Sequence, residues 1–414
     1  MKKTSFLLLL FFVSIILFLI TVEAQAVIVS NATELSNAIG EANNGGDPII
    51  ELRDGTYTLD DMLWVEADGV TVCSISGKRD AVILEGRGMD GYVTHIFNIA
   101  GSNFTVRDMT LQRVGNHAIQ VQPGVDAIVI QNVHILDTGE QMVKVSYDPD
   151  NPALSSDNGV MESCLLEYSA GIGPQYYIGG IDAHRAKNWT VRDNTFMGIR
   201  SPGQDVAEHA IHFWSHSENT LVERNIIINC DRSIGFGLGD RGHIGGIIRN
   251  NMIYHDSSEG FADVGIGLEA AAHAQIYNNT IYHEHSYPNA IEYRFSNTTG
   301  ILIANNLTNR EISSRDGASG TVSSNVINAQ ASWFSNPSGG DLHLNSPIPE
   351  VVDQGQTISG LTSDFDGESR PQGDEIDIGA DEYSSISSSG EEDNVKSNSG
   401  CFIATAAYGS QAEP

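Results

Sequence analysis

The residues best suited to chemistry recur at equivalent positions in a series of short apolar segments. In the segment Ile181-Asp182-Ala183-His184, two apolar residues alternate with two polar ones. A strand with this pattern turns its apolar residues to the core and their neighbours to solvent. The predicted outward residues are Gln120, Gln122, Lys144, Ser146, Asp182, His184, His212, Trp214, Gly235, Gly237, Gly267, Glu269, Glu292 and Arg294. These groups, with glycines at the middle of their face, predict a site where a ligand lies against the backbone.

The first hypothesis for this face is a polysaccharide lyase acting on an acidic glycan. Such an enzyme needs a cation to neutralise the uronate carboxylate and a base to remove the C5 proton. Lys144, His184 or His212 would be the base, Arg294 would bind the carboxylate through two hydrogen bonds, and Trp214 would stack on a sugar ring. The expected Ca²⁺ ligands are Asp182, Glu269 and Glu292.

Two other function classes fit the same residues. A glycoside hydrolase uses two carboxylates, and Asp182 with Glu269 or Glu292 would supply them. A surface protein that binds or displays without catalysis is the third class, because ion pairs between neighbouring strands are common on surfaces. As outward groups, His184 and His212 are expected to titrate near neutral pH and to contribute little to stability.

Turns on the same side of the chain add further polar groups. We expect Arg185 to contact the substrate, and the insertion 148–158 and the loop 201–208 to wall a groove. The turn residues in question are Arg185, Asp205, Glu208, His209, Asp240, Arg241 and His243.

The apolar segments belong to a repeat marked by asparagine. The repeated asparagines are 31, 26, 28 and 27 residues apart, with weaker copies at Asn132 and Asn325. Short strands at this spacing, without helical periodicity between them, indicate a solenoid of stacked strands. The predicted structural ladder is Asn194, Asn225, Asn251, Asn279 and Asn306, and the predicted buried column is Ile181, Ile211, Ile234, Ile266 and Ile291.

The N-terminal part predicts a helix that covers one end of the solenoid. Asn31 and Glu34 fit a capping box, and apolar residues recur on one helical face through residue 42. The segment from Glu34 to Tyr57, with Glu-Leu-x-x-Ala-Ile and Asp-Gly-Thr-Tyr, resembles the cap and first coil of exported polysaccharide lyases. The resemblance implies an all-β, right-handed parallel β-helix of the pectate-lyase-like superfamily over residues 27–345. These motifs specify the fold and not the activity.

The charge balance limits the partners. With 22 basic and 53 acidic residues the net charge is −31, which would repel a nucleic acid. The same charge argues, more weakly, against a highly charged polyanion as substrate unless Ca²⁺, the candidate cofactor, screens it. The resemblance to exported polysaccharide lyases implies a polysaccharide as the partner. We expect a monomer.

The N-terminus predicts export. Lys2 and Lys3 precede an apolar run from Phe6 to Ile20, and Ala24-Gln25-Ala26 supplies a cleavage site. This pattern is typical of a signal peptide at residues 1–26 and not of a lasting membrane anchor. The mature protein is expected to be secreted or held at a bacterial cell surface.

The C-terminal part changes in composition. Residues 346–383 are predicted to form a capping segment, and 384–400 are rich in Ser and acidic residues, as in a linker. The sequence CFIATAAYGS within 401–414 resembles a C-terminal sorting tag of bacterial exported proteins, which further residues normally follow. Cys164 and Cys230 are expected to be small buried hydrophobic residues.

Overall fold

The chain winds into a solenoid of short parallel strands. A computed structural model describes residues 26–203, 205–257 and 262–384. Successive coils pair in parallel, and each full coil adds a strand to a ten-stranded sheet and strands to two columns of a twenty-stranded sheet. The predicted right-handed parallel β-helix is confirmed.

The ten-stranded sheet, called the front sheet below, carries the residues predicted to do chemistry. The predicted isoleucine column is confirmed, because Ile181, Ile211, Ile234, Ile266 and Ile291 are in register and fully buried. The strands of the front sheet are Leu63–Val65, His95–Ile99, His117–Val121, Val143–Val145, Ile181–His184, His209–Trp214, Arg232–Phe236, Ile266–Glu269, Asn289–Arg294 and Glu311–Arg315.

The twenty-stranded sheet consists of two columns joined by the long strands Thr105–Val114 and Val129–Thr138. The other strands of the first column are Val27–Val29, Ile49–Leu52, Thr71–Ser74, Val160–Glu162, Thr190–Arg192, Leu221–Glu223, Ile247–Arg249, Gln275–Tyr277, Ile301–Ala304 and Gly320–Ser323. Those of the second column are Gly55–Thr58, Val82–Glu85, Leu165–Glu167, Thr195–Met197, Ile226–Ile228, Met252–His255, Thr280–His283 and Leu307–Thr308. A three-stranded parallel sheet contains Ser217–Glu218, His243–Ile244 and Ala271–Ala272.

The helix Ala32–Asn43 packs on the first strands, as predicted. The Asn31 side chain accepts a hydrogen bond from the Glu34 amide at 3.0 Å, and Glu34 accepts one from the Ser30 amide at 2.8 Å. Together these bonds satisfy two backbone donors at the start of the helix. The buried face of the helix consists of Leu35, Ala38, Ile39 and Ala42.

The structure places the ladder asparagines in one buried column at the bend between the two strand columns. The side-chain amide of Asn225 donates to the Asn251 oxygen at 2.9 Å, and the same bond repeats along the column to Asn325. The interpretation of Asn132 as a ladder position is wrong. In the coil of Asn132 the ladder position falls on Val133, while Asn132 occupies the preceding left-handed position, with φ +50°.

The C-terminal part lies against the last coils. The 3₁₀ turns Ala331–Trp333 and Pro337–Gly339 flank and link an antiparallel pair, Phe334–Asn336 with Asp341–Leu344. The predicted capping segment then contacts three successive bends, where Asn250, Asn278 and Asn305 donate to its carbonyl groups. Its buried Arg370 donates to Glu382 at 2.6 Å and to two carbonyl oxygens.

The predicted linker and sorting tag lie outside the described residues, except for Ser384, as does the predicted signal peptide except for Ala26. Cys164 and Cys230 are buried and carry free thiols. No helix within the described ranges is long and apolar enough to cross a membrane.

Candidate functional site

Strand register brings the predicted outward residues onto one face of the front sheet. Lys144 pairs with Asp182, Asp182 with His212, His212 with Gly235, Gly235 with Gly267, and Gly267 with Glu292. Side chains on this face fall into two regions of different character, one filled and one open.

The filled region, called the Asp182 cluster, consists of Lys144, Asp182, His184, His212 and Trp214. The Lys144 ammonium contacts Asp182 Oδ2, and the Trp214 indole N–H donates to Asp182 Oδ1 at 2.6 Å. His184 Nε2 and His212 Nδ1 lie 3.7 and 3.6 Å from the same carboxylate. Asp182, His184 and His212 are all buried. Outward-facing residues here form a second, polar core.

Burial and charge fix the protonation of this cluster. Burial alone would raise the pKa of Asp182, but the Lys144 ammonium, together with the two imidazoles once acid protonates them, lowers it to about 2. Burial alone would lower the pKa of Lys144, but the Asp182 carboxylate outweighs it and raises that pKa. Lys144 is therefore an ammonium at neutral pH and cannot accept a proton while this pair persists.

The expectation that His184 and His212 titrate near neutral pH is wrong. Burial lowers the pKa of His184 to about 3 and also lowers the pKa of His212, so both imidazoles are neutral at pH 7. The exposure on which the expected small contribution to stability was based is also absent, because His184 is 5 % and His212 0 % exposed. Outward direction on a strand does not mean exposure when large neighbours cover it.

Trp214 and Arg185 are engaged within the protein. The His212 ring stacks on Trp214 at 4.9 Å, and the Arg241 guanidinium lies 4.0 Å from the indole centroid. Trp214 is therefore not the open platform that a sugar ring requires. Arg185 donates to the Pro152 carbonyl at 2.6 Å, which ties it to the insertion 148–158.

The open region is a pocket of about 230 Å³, called the Gly267 pocket. Neither predicted wall, 148–158 or 201–208, contributes a described residue to its lining. The lining residues are His209, Arg232, Gly237, Leu238, Asp263, Val264, Gly267, Leu268, Glu269, Tyr287, Glu292, Arg294 and Arg315.

Two glycines shape this region: Gly267 lines the pocket, and Gly235 lies beneath the His209 ring. A Cβ atom on Gly235 would lie 2.6 Å from His209 Nε2, so only glycine lets that ring lie over the sheet. A Cβ atom on Gly267 would lie 3.3 Å from Val264 and 3.9 Å from His209 Nε2. The floor of the pocket is therefore largely backbone.

The rim of the pocket alternates cations and carboxylates. Arg315 donates to Glu292 at 2.8 Å, Arg294 lies 3.4 Å from Glu269, and Arg232 lies 3.4 Å from Asp263. Tyr287 donates to Glu292 at 2.5 Å. Burial and the Glu292 carboxylate raise the pKa of Tyr287, which keeps its phenol protonated. Although burial would raise the pKa of Glu292, its hydrogen bonds lower it.

The predicted Ca²⁺ ligands do not converge. Asp182 and Glu292 are four strands apart on the front sheet, about 19 Å at a strand spacing of about 4.8 Å. Calcium–oxygen bonds are about 2.3–2.6 Å long, so these residues and Glu269 cannot share one ion. The three carboxylates instead accept hydrogen bonds from Trp214, from the Gly239 amide and from Tyr287.

Four polar pocket residues were not anticipated from the sequence: Arg232, Asp263, Tyr287 and Arg315. Arg232 begins a front-sheet strand, and Arg315 pairs in register with Arg294. Extending the outward pattern by one coil beyond Arg294 would have predicted Arg315. Asp263 and Tyr287 lie in turns, where strand alternation gives no information.

Comparison with solved structures agrees with this architecture. The structure of pectate lyase Pel9A aligns with a TM-score of 0.55 and 13 % identity, over 88 % of this chain and 98 % of that one. The chain has the pectate-lyase-like β-helix fold. PfbA, a surface adhesin of Streptococcus pneumoniae, aligns with a TM-score of 0.50 and 11 % identity, over 73 % of this chain and 91 % of that one. At such identities the likeness shows the fold alone. No protein family pattern and no curated protein sequence matches the chain.

Proposed function

We propose that this protein is an exported polysaccharide lyase that cleaves an acidic glycan in the Gly267 pocket. The observation that carries the proposal is the meeting of three arginines, a protonated tyrosine and a neutral histidine over a glycine floor. The lyases among proteins of the same fold, such as pectate lyase Pel9A, support the substrate class.

The arginines supply recognition of the uronate carboxylate. Arg232, Arg294 and Arg315 are three of only 22 basic residues in a chain of net charge −31, and they line one small pocket. A guanidinium presents a planar fork of donors that fits a carboxylate. Each is paired with a protein carboxylate at a contact of 2.8–3.4 Å, and we propose that a uronate joins this alternating array.

His209 and Tyr287 supply the proton transfers of a β-elimination. Burial lowers the pKa of His209 well below its ordinary value, so the ring has an unprotonated nitrogen at neutral pH. In the proposed step, His209 takes the C5 proton of the uronate, a C4–C5 double bond forms and the C4–O bond breaks. Tyr287 donates its proton to the departing oxygen. The products are one chain with an unsaturated uronate end and one with a free hydroxyl.

The carboxylates fit the hydrolase alternative less well. A glycoside hydrolase needs one carboxylic acid that remains protonated, whereas the pKa values of Asp182 and Glu292 are both lowered. Asp182 is also three strands, or about 14 Å, from the strand of Glu269, beyond the separation of such pairs.

The test is an assay of the purified protein against polygalacturonate, alginate and neutral glycans, with unsaturated products and reducing ends measured separately. We expect unsaturated products from an acidic glycan, and a loss of at least tenfold in His209→Gln and Arg315→Gln. Arg192→Gln, on the other sheet, is the matched control and should retain activity. Reducing ends without unsaturated products would establish hydrolysis. If no glycan is cleaved, the protein is a non-catalytic surface protein that binds or displays.

A further inference from the structure

We propose that Glu208, His209 and His212 form a binding site for a divalent transition-metal ion, with Zn²⁺ as the probe. One ligand atom from each residue lies within 4.8 Å of the others. The site lies at the entry of the front-sheet strand His209–Trp214, between the Asp182 cluster and the Gly267 pocket. The proposal does not depend on the lyase function, because metal binding is measured without glycan.

The surroundings of His212 leave one ring nitrogen available as a ligand. His212 Nε2 lies 3.3 Å from the Gly237 carbonyl, which accepts its proton in the neutral ring. The lone pair of Nδ1 then faces Glu208 Oε2 at 3.9 Å and Asp182 Oδ1 at 3.6 Å. A lone pair directed at two carboxylates is unfavourable unless a cation lies between them. A ligating histidine whose other nitrogen donates to a carbonyl is the usual arrangement in metal sites.

The other two residues also carry unsatisfied side-chain atoms. Within the described residues, Glu208 Oε2, His209 Nδ1 and His212 Nδ1 are buried and have no hydrogen-bond partner. His209 and His212 are at most 5 % exposed, and their rings lie 4.4 Å apart. Buried polar atoms without partners are unfavourable, so three of them in one group of neighbouring residues point to a ligand.

The donor set selects the class of ion. Two imidazoles and one carboxylate suit Zn²⁺ and its first-row neighbours, whereas Ca²⁺ prefers oxygen ligands alone. Tetrahedral zinc with bonds of about 2.0–2.1 Å places its ligand atoms about 3.4 Å apart. The 3.9 Å between His212 Nδ1 and Glu208 Oε2 needs to shorten by only about half an ångström.

Occupancy of the site would change the chemistry available at His209. With Nδ1 bound to the ion, the proton of the neutral ring is on Nε2, which lies over Gly235, the strand neighbour of the pocket residue Gly267. His209 would then donate a hydrogen bond instead of accepting a proton. If the lyase proposal is correct, zinc should inhibit elimination and chelation should restore it.

The test is equilibrium dialysis of the metal-free full chain with Zn²⁺, with the metal content of the protein as readout. We expect one ion per chain, and at least tenfold weaker binding in Glu208→Gln and in His212→Gln. The control is His343→Gln, which removes the other candidate group, His343 with Asp366 and Asp381, and should leave the stoichiometry at one.

A second measurement does not depend on whether the variants fold, because it uses the unmodified protein. Zinc-soaked crystals of the unmodified protein, measured at the zinc absorption edge, should show an anomalous peak between Glu208, His209 and His212. No zinc bound in dialysis, or a peak only at His343, would overturn the proposal. Zinc binding at the site with undiminished lyase activity would uphold the metal site and refute His209 as the base.

Discussion

The Asp182 cluster and the Gly267 pocket occupy the same face of the same sheet, yet only one of them is open. In the cluster, Lys144, His184 and Trp214 converge on one carboxylate and exclude solvent. Two and three strands beyond Asp182 in register, Gly235 and Gly267 take its place; the His209 ring covers Gly235, and the face is open at Gly267. The comparison shows that side-chain size along one register row decides where a β-helix can bind a ligand.

Acid should destabilise the fold through its buried histidines. His184 in the filled region, like His117 and His243 outside it, has a pKa of about 3 in the fold, below its ordinary value, so the unfolded chain binds more protons. Stability should therefore fall progressively as the pH drops from about 6.5 to about 3. The ionised form of Asp182 adds stability that is lost as the pH falls from about 4 to about 2.

Urea unfolding at a series of pH values measures this dependence, and His184→Gln should reduce its slope. His343 does not obscure the window, because its raised pKa of about 10 gives a contribution that is complete below pH 6.5. A stability that is level between pH 6.5 and 4 would contradict the neutral, buried state of these imidazoles.

Removing the central carboxylate should cost the most of any single change in the filled region. Asp182→Ala leaves the nearly buried Lys144 ammonium without its partner, which we expect to cost about 3–5 kcal/mol of unfolding free energy. The control is Asp193→Ala, which breaks an exposed pair with Arg224 and should cost at most about 1 kcal/mol. Equal losses in the two variants would mean that the cluster is an ordinary surface ion pair.

The asparagine ladder lies behind both regions and should affect stability alone. Asn251→Ala removes hydrogen bonds to Val222, Arg249 and Asn279 and leaves buried groups unpaired, at an expected cost of about 1–3 kcal/mol. Asn328→Ala, at an exposed position, should change stability by no more than about 0.5 kcal/mol. Thermal melts measure both, and glycan activity below the melting range should be unchanged. Lower activity with unchanged stability would refute the ladder assignment.

Adding a methyl group beneath the His209 ring should affect function more than stability. In Gly235→Ala the new Cβ would meet three atoms of the His209 ring at 2.6–2.9 Å, so the ring must move. We expect at least a tenfold loss of lyase activity and of zinc affinity. Gly40→Ala, in the N-terminal helix with no atom within 4 Å of its new Cβ, should retain both. Full activity in Gly235→Ala would show that His209 does not need its present position.

The sequence predicts the coil much better than the site. The isoleucine column and the asparagine ladder can be predicted from their regular spacing. Because the coils are in equal register, each of these residues has the same environment as its equivalent in the preceding coil. The same alternation identifies the outward residues correctly. It fails to give their burial, since Trp214 and Arg241 cover His184 and His212 through contacts that no spacing encodes.

Turns explain most of what the sequence analysis missed. Tyr287 and Asp263 reach the pocket from connections whose lengths vary between coils, so no period locates them. Asn132 shows the same limit. It lies one residue before the ladder position of its coil, where the backbone is left-handed, and spacing alone does not distinguish the two positions. The ligand set Asp182, Glu269 and Glu292 failed for another reason, since residues on one face can still be several strands apart.

The central claim is that an acidic glycan binds in the open region and not in the filled one. Hydroxyl-radical footprinting with mass spectrometry tests it directly, because tyrosines mark both regions: Tyr287 lines the Gly267 pocket, while Tyr147 and Tyr177 border the Asp182 cluster. On adding an acidic oligosaccharide, we predict that oxidation of Tyr287 falls while that of Tyr147 and Tyr177 is unchanged. Protection of Tyr147 and Tyr177 with Tyr287 unaffected would contradict the account.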